Sequence, residues 1–171
     1  VNLFGHANPV INSALKDQLE SLEQVIFAGF THEPAVNLAE KLVKLTPKGL
    51  ERCFFADNGS AAVEVALKMS FHYWLNLGKP QKTKFISLEN SYHGETFGAL
   101  AVGNVALYKE TYAPLLMDVI KVPGPDCYYR EVGETWKDYS IRRFALLEKV
   151  LQEQADSVCA VIVEPLVQCA G

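Results

Sequence analysis

An α/β fold, a mostly parallel sheet with helices on both faces, is what this 171-residue sequence predicts. Three observations carry that reading. Short apolar runs, of which CAVIV (159–163) is among the purest, read as strands buried on both faces. Those runs alternate with segments of helical periodicity, the order of a parallel sheet with crossover helices. A hydrophobic fraction of 49% with 21% charged residues, over one domain's length, is enough to bury a core without disulfides or metals.

The N-terminal part, residues 1–50, reads as a helical segment leading into a larger domain over 51–171. Asn12 or Ser13 can cap a helix through ALKDQLESLEQV, with Leu15, Leu19 and Leu22 on one side. Glu33-Pro34 opens a second helix, with Val36, Leu38, Leu42 and Leu45 on its apolar side and Pro47 and Gly49 past its end. From residue 53 the pattern changes. CFFA (53–56) reads as a strand, followed by the turn Asp57-Asn58-Gly59-Ser60. A strong helix follows, with Val63, Leu67, Phe71 and Trp74 as its buried stripe and Gly78 and Pro80 as its stop. KFISL is the next strand, then the turn ENSYHGE and the small-residue helix TFGALAVG. DVIKV (118–122) is a third strand, broken by Pro123-Gly124-Pro125. A long helix over about 139–154, with Ile141, Phe144, Leu147 and Leu151 facing inward, precedes the strand SVCAVIVEP (157–165).

Sixteen Lys and Arg against 20 Asp and Glu give a formal net charge of −4, with no basic block. Such a chain is a poor partner for nucleic acid or an anionic membrane. No apolar run approaches the roughly 20 residues of a transmembrane helix. The chain opens at Val1 without a basic, then apolar, leader. Cys53, Cys127, Cys159 and Cys169 show no C-x-x-C spacing and read as free thiols of a reducing compartment, so a cytoplasmic location is expected.

Ligands of parallel α/β sheets bind at the carboxyl ends of the strands. Three segments sit there: 57–61, 89–94 and 164–168. At the first, Gly59 admits an anion close to the backbone, and Ser60 offers a hydroxyl and an N–H at a helix start. Neither a Walker loop nor a G-x-G-x-x-G fingerprint is present, and on this motif alone simple capping by Ser60 is the stronger reading. At the second, Tyr92 can stack on a flat ring or simply pack. His93 has no second His or Cys at ligand spacing, which discounts zinc, and no G-x-S-x-G elbow marks a hydrolase. At the third, Glu164 ends an apolar run and has to be satisfied or functional; accepting backbone N–H bonds is an equal alternative.

In this order and spacing, FFADNGSAAVEVALK (54–68), SLENSYHGETFGAL (87–100) and AVIVEPLVQCAG (160–171) resemble the class III aminotransferases, pyridoxal-phosphate enzymes of fold type I. GHANPVINSAL (5–15) and VIFAGFTHEPAVNLAEKLV (25–43) extend the resemblance over nearly the whole chain. The resemblance implies part of a fold type I large domain and pyridoxal 5'-phosphate as cofactor. Gly59, Ser60 and the Ala61 N–H would hold the cofactor phosphate. Tyr92 would lie on the pyridine ring and border the substrate pocket, with His93 shaping that turn and Glu164 beside the cofactor's polar edge. The segment around Ile26 and Ala28 would reach into a partner's pocket, so a homodimer with a shared active site is implied.

Two departures bear on the substrate. Many glutamate-using members carry a second Glu shortly after the E-P pair, where this sequence reads Leu166-Val167-Gln168-Cys169-Ala170; a donor without a side-chain carboxylate is favoured. Cys169 and Ala28 stand where glycine is common, which bears on pocket shape. No lysine here matches the family's Schiff-base lysine, and the acid for the pyridine nitrogen is also expected further downstream, so the chain reads as an internal portion of a longer protein. A chain complete at Gly171 would instead be a non-catalytic binding or assembly module.

Overall fold

The computed structural model describes residues 2–166. The chain divides into two compact units, Val1–Phe54 and Phe55–Gly171.

The first unit holds two helices. Helix α1 spans Pro9–Leu19 and is capped by Asn8, whose side chain accepts from the N–H groups of Val10 and Ile11. The expected cap at Asn12 or Ser13 is therefore corrected. Pro9 in the first turn fixes the start four or five residues earlier, because its ring is pre-set for that position. The helix also stops at Leu19 rather than running on to Val25. Beyond it, Gln18 Nε2 donates to the Leu22 carbonyl at 2.5 Å, and His32 Nε2 lies 2.8 Å from the same oxygen. Helix α2 spans Glu33–Leu45, opened by Pro34 as its sequence signals. Neither helix buries a residue completely.

The second unit is a three-layer α/β sandwich. Helix α3 spans Gly59–Asn76. Strand β1 is Lys84–Leu88, β2 is Ile120–Val122 and β3 is Val158–Ile162. They pair in the order β2-β1-β3, and both pairings are parallel. Helix α4 (Phe97–Val102), the short helix α5 (Ala106–Lys109) and a 3-10 turn (Glu110–Leu115) connect β1 to β2. Helix α6, Trp136–Gln154, connects β2 to β3.

The two-residue period of β1 sorts the core. Phe85 joins Leu67 of α3, Val102 of α4 and Cys159 on one face. Ile86 and Leu88 join Val122 and Val158 on the other, where Leu147, Val150 and Leu151 of α6 cover them. The helices thus lie on both faces of a parallel sheet, as the apolar strands require.

Several expectations are corrected, among them Phe71, expected in the buried stripe of α3 and instead exposed. CFFA (53–56) forms no strand, and Phe54 is 71% exposed. A strand needs a ladder partner as well as an apolar sequence. Ile141 and Phe144 do not face inward; they are 58% and 42% exposed. The inner side of α6 is set by Tyr139, Leu147, Val150 and Leu151. This helix also starts earlier than expected, at Trp136, because Thr135 caps it through the Asp138 N–H.

Candidate active site at the carboxyl ends of the strands

The site is built where α3 begins and β1 and β3 end. Asn58 caps α3: its Oδ1 accepts the Ala61 N–H at 2.9 Å and its carbonyl accepts the Ala62 N–H at 3.0 Å. The Ala61 amide is thereby occupied within the cap. The N–H groups of Gly59 and Ser60 meet no acceptor among the described residues. A Cβ on Gly59 would touch nothing within 4 Å, so the approach to these amides is open. Eighteen aligned peptides behind them add the partial positive charge of a helix start.

The second segment comes straight to this helix start. Ser60 Oγ accepts the Glu95 N–H at 3.1 Å, which leaves its own proton to donate. Gly94 sits against it with φ +126, and a Cβ there would lie 2.3 Å from Ser60 Oγ. Only glycine lets the two segments close to this distance. Asn90 turns the chain through a left-handed conformation, φ 60, right after β1. Fully buried Ser91 locks that turn by donating to the Leu88 carbonyl at 2.7 Å, and its own carbonyl accepts the Asn104 N–H at 2.7 Å.

Tyr92 follows, half-buried. Its N–H donates to Glu164 Oε2 at 2.8 Å. Its hydroxyl donates to Glu95 Oε1 at 3.1 Å, and its ring meets Tyr108 edge-on at 6.0 Å. The acid at the end of β3 thus holds the aromatic turn at the end of β1. Three of the segments singled out in sequence converge: Gly59–Ser60, Tyr92–Gly94 and Glu164. Gln168 and Cys169 lie outside the described residues. Ile26 and Ala28 belong to the first unit, between α1 and α2, and both side chains are turned to solvent in that unit.

His93 Nε2 is buried and, among the described residues, has no hydrogen-bond partner. Burial pushes its pKa below the ordinary imidazole value; the Lys121 charge acts the same way and Glu164 opposes it. The ring is therefore neutral at physiological pH. A cavity of about 830 Å³ opens beside the site, lined by Asn90, Ser91, Tyr129, Arg142, Arg143 and Glu164. Neither Ser60 nor Tyr92 lines it, so it adjoins the site and does not coincide with it.

Two side chains that a sequence reading passes over hold this arrangement. Glu64, one helical turn after Ser60, accepts the Gly98 and Ala99 N–H groups at 2.7 and 3.2 Å. Lys121 Nζ donates to Ser87 Oγ at 2.6 Å and to the carbonyls of Ala101, Val102 and Gly103 at 3.1, 2.7 and 2.8 Å. The signal for both is the argument applied to Glu164: a lone charge within an apolar element has to find a partner.

A family model for the class III aminotransferases matches residues 1–171. This chain belongs to the class III aminotransferases. It is 46% identical over 173 residues to an adenosylmethionine-8-amino-7-oxononanoate aminotransferase of Helicobacter pylori, covering all of this chain and 37% of that relative. A thermostable (S)-enantioselective ω-transaminase from Thermomicrobium roseum matches 98% of the chain with TM-score 0.91 and 29% identity, over 38% of its own length. The ω-transaminase of Pseudomonas jessenii in complex with PMP matches 95% with TM-score 0.87 and 30% identity, over 36% of its length. The chain thus spans 36–38% of the length of these three proteins, and its fold is the corresponding part of a pyridoxal-phosphate transaminase.

Class III aminotransferases depend on pyridoxal phosphate, and the residues here fit such a group. The unpaired amides of Gly59 and Ser60, the open space over Gly59 and a long helix behind them suit a phosphate dianion. The orphaned His93 Nε2 is a polar atom still awaiting a partner.

Proposed function

We propose that the whole protein transfers an amino group to 8-amino-7-oxononanoate, yielding 7,8-diaminononanoate in biotin biosynthesis, with S-adenosylmethionine as donor. Support comes from the names of the relatives that match the full chain, Helicobacter pylori and Geobacter sulfurreducens among them. The missing second acid after Glu164-Pro165 agrees with a donor lacking a side-chain carboxylate. The observation that carries the reading is the meeting of the α3 start with the Tyr92 turn through Ser60 and Gly94. It brings an anion cradle and a half-buried aromatic ring into one place.

The roles follow from the chemistry of each group. The amides of Gly59 and Ser60 and the Ser60 hydroxyl bind the phosphate. The Ala61 N–H, spent on the Asn58 cap, steadies that cradle from within. Tyr92 packs on the ring and borders the substrate, its position fixed at N–H, hydroxyl and ring edge. Glu164 holds the Tyr92 turn by a charge-assisted bond and brings negative charge to the polar edge. His93, neutral and facing inward, shapes the turn below. When bound, pyridoxal phosphate supplies the electron sink that makes amino-group transfer possible. The lysine and acid that act on it belong to a later part of the protein. Ile26 and Ala28 border the substrate pocket in a homodimer whose partners share their sites, and the protein works in the cytoplasm.

A second reading, another class III aminotransferase acting on ω-amino acids or diamines, is favoured by the structural likeness to ω-transaminases. Donor and acceptor screening of the whole enzyme separates the two. Turnover of 8-amino-7-oxononanoate with adenosylmethionine, and none with glutamate, is expected. Efficient turnover of ω-amines with no activity on 8-amino-7-oxononanoate would overturn the first reading and establish the second.

A further inference from the structure

Helix α4 has no cap of its own. Thr96, in the cap position, makes no side-chain capping bond. A carboxylate from another helix does that work: Glu64 Oε1 accepts the N–H groups of Gly98 and Ala99. Gly98 is shaped for it, since a Cβ there would lie 2.3 Å from Glu64 Oε2 and 2.8 Å from its Cδ. Four residues earlier on the same face of α3, Ser60 accepts the Glu95 N–H at 3.1 Å. Helix α3 therefore grips residues 94–99 at two points one turn apart, the first of them at the candidate phosphate cradle.

The far end of α4 is held as firmly. Its last carbonyls, with that of Gly103, accept from Lys121 and Lys109, and Ala99 to Val102 are buried. An acid at the amide end and amines at the carbonyl end match the helix dipole. Between β1 and this fixed helix runs the turn that carries Tyr92. Its position relative to Gly59 and Ser60 is set by where α4 begins.

We propose that Glu64 is a positioning residue of the cofactor site: it sets the distance between the aromatic turn and the phosphate cradle by tying α4 to α3. It touches neither cofactor nor substrate. The proposal rests on the reading of Gly59, Ser60 and Tyr92 as the pyridoxal-phosphate site.

The experiment is a titration of the whole apoenzyme with pyridoxal phosphate, followed by protein fluorescence and by the visible circular dichroism of the bound cofactor. Glu64→Ala removes both acceptor bonds, and its dissociation constant should rise about tenfold, the size of one lost charge-assisted hydrogen bond. The visible dichroism, which reports ring orientation, should fall at saturation. Glu64→Gln keeps an oxygen for the same two N–H groups and should restore both readouts to within about threefold of wild type. Gly98→Ala, which pushes the carboxylate away while leaving it intact, should weaken binding in the same direction. Should Glu64→Ala not fold, Glu64→Asp, one methylene too short, takes its place. A lower melting temperature with unchanged affinity and dichroism would reduce Glu64 to a packing role and overturn the proposal. Wild-type apoenzyme that fails to bind pyridoxal phosphate would instead overturn the reading of the site beneath it.

Discussion

Lys121 faces the carbonyl end of α4 from within strand β2. Its amine lies among Ser87 Oγ and three carbonyls. Burial, with the Lys109 charge beside it, pushes its pKa from 10.5 down to about 7. Below about pH 7 both folded and unfolded chains hold the proton, so this group adds no pH dependence. Between about 7 and 10.5 the unfolded chain holds a proton that the folded one lacks, so stability rises with pH across that window. His93 is also shifted downward, from 6.5, so its own effect is confined below that value. The urea midpoint of the whole protein should therefore climb between pH 7.5 and about 9. In Lys121→Met the climb should be visibly flatter, leaving the smaller contribution of Lys109, which burial shifts the same way. Parallel profiles for the two proteins would show that the amine keeps its ordinary pKa. At the residue scale, Tyr92 and Glu164 stand out in the sequence because each comes just after a strand, and Gly59 and Ser60 because they open a long helix. Lys121 and Glu64 are marked there only as lone charges in apolar elements, since most of their partners are main-chain groups of α4 and the residue after it.

At the scale of elements, β3 shows how an irregular strand is made good. Lys84 pairs with Val158 but Phe85 pairs with Ala160, so Cys159 is an extra residue in the ladder. Its carbonyl accepts the Trp74 indole N–H from α3 at 2.7 Å. Trp74 in turn carries Lys82 over its ring at 4.4 Å, and that lysine donates to the Val158 carbonyl at 3.2 Å. The bulge turns Cys159 and Ala160 toward α3 while Val158 faces α6. Trp74→Phe keeps an aromatic ring but removes the donor and part of the packed indole, so it should cost at least about 1–2 kcal/mol in chemical denaturation. A loss below about 0.3 kcal/mol would mean that solvent replaces the indole. The three paired strands were legible from their apolar runs and α2 from its Pro start, whereas α3 is capped by Asn58 and not by Ser60, which lies within the helix. CFFA was misleading for a physical reason: its side chains suit a strand, yet pairing is decided by a neighbour that the local sequence does not contain. The face of α6 was misjudged for a related one. Its apolar residues spread over more than half its circumference, and periodicity alone does not say which side meets the sheet.

On the scale of the whole molecule, many large apolar side chains stand exposed among the described residues. No described residue of the first unit is buried, although it carries Leu3, Phe4, Phe30 and Leu45, all more than 60% exposed. In the second unit, Ile141 and Phe144 line an apolar hollow on α6 with Leu147 and Leu151. Monomeric soluble proteins seldom show contiguous apolar patches beyond a few hundred Å². These side chains are therefore in wait of cover, and the proposed homodimer and the further length of the relatives are its natural sources. The 171-residue chain produced by itself should enhance the fluorescence of a hydrophobic dye and sediment as a concentration-dependent mixture. The whole protein should do neither, and should run as a dimer. If the 171-residue chain instead sediments as a single monomeric species without dye enhancement, its apolar side chains are tolerated singly and ask for no partner.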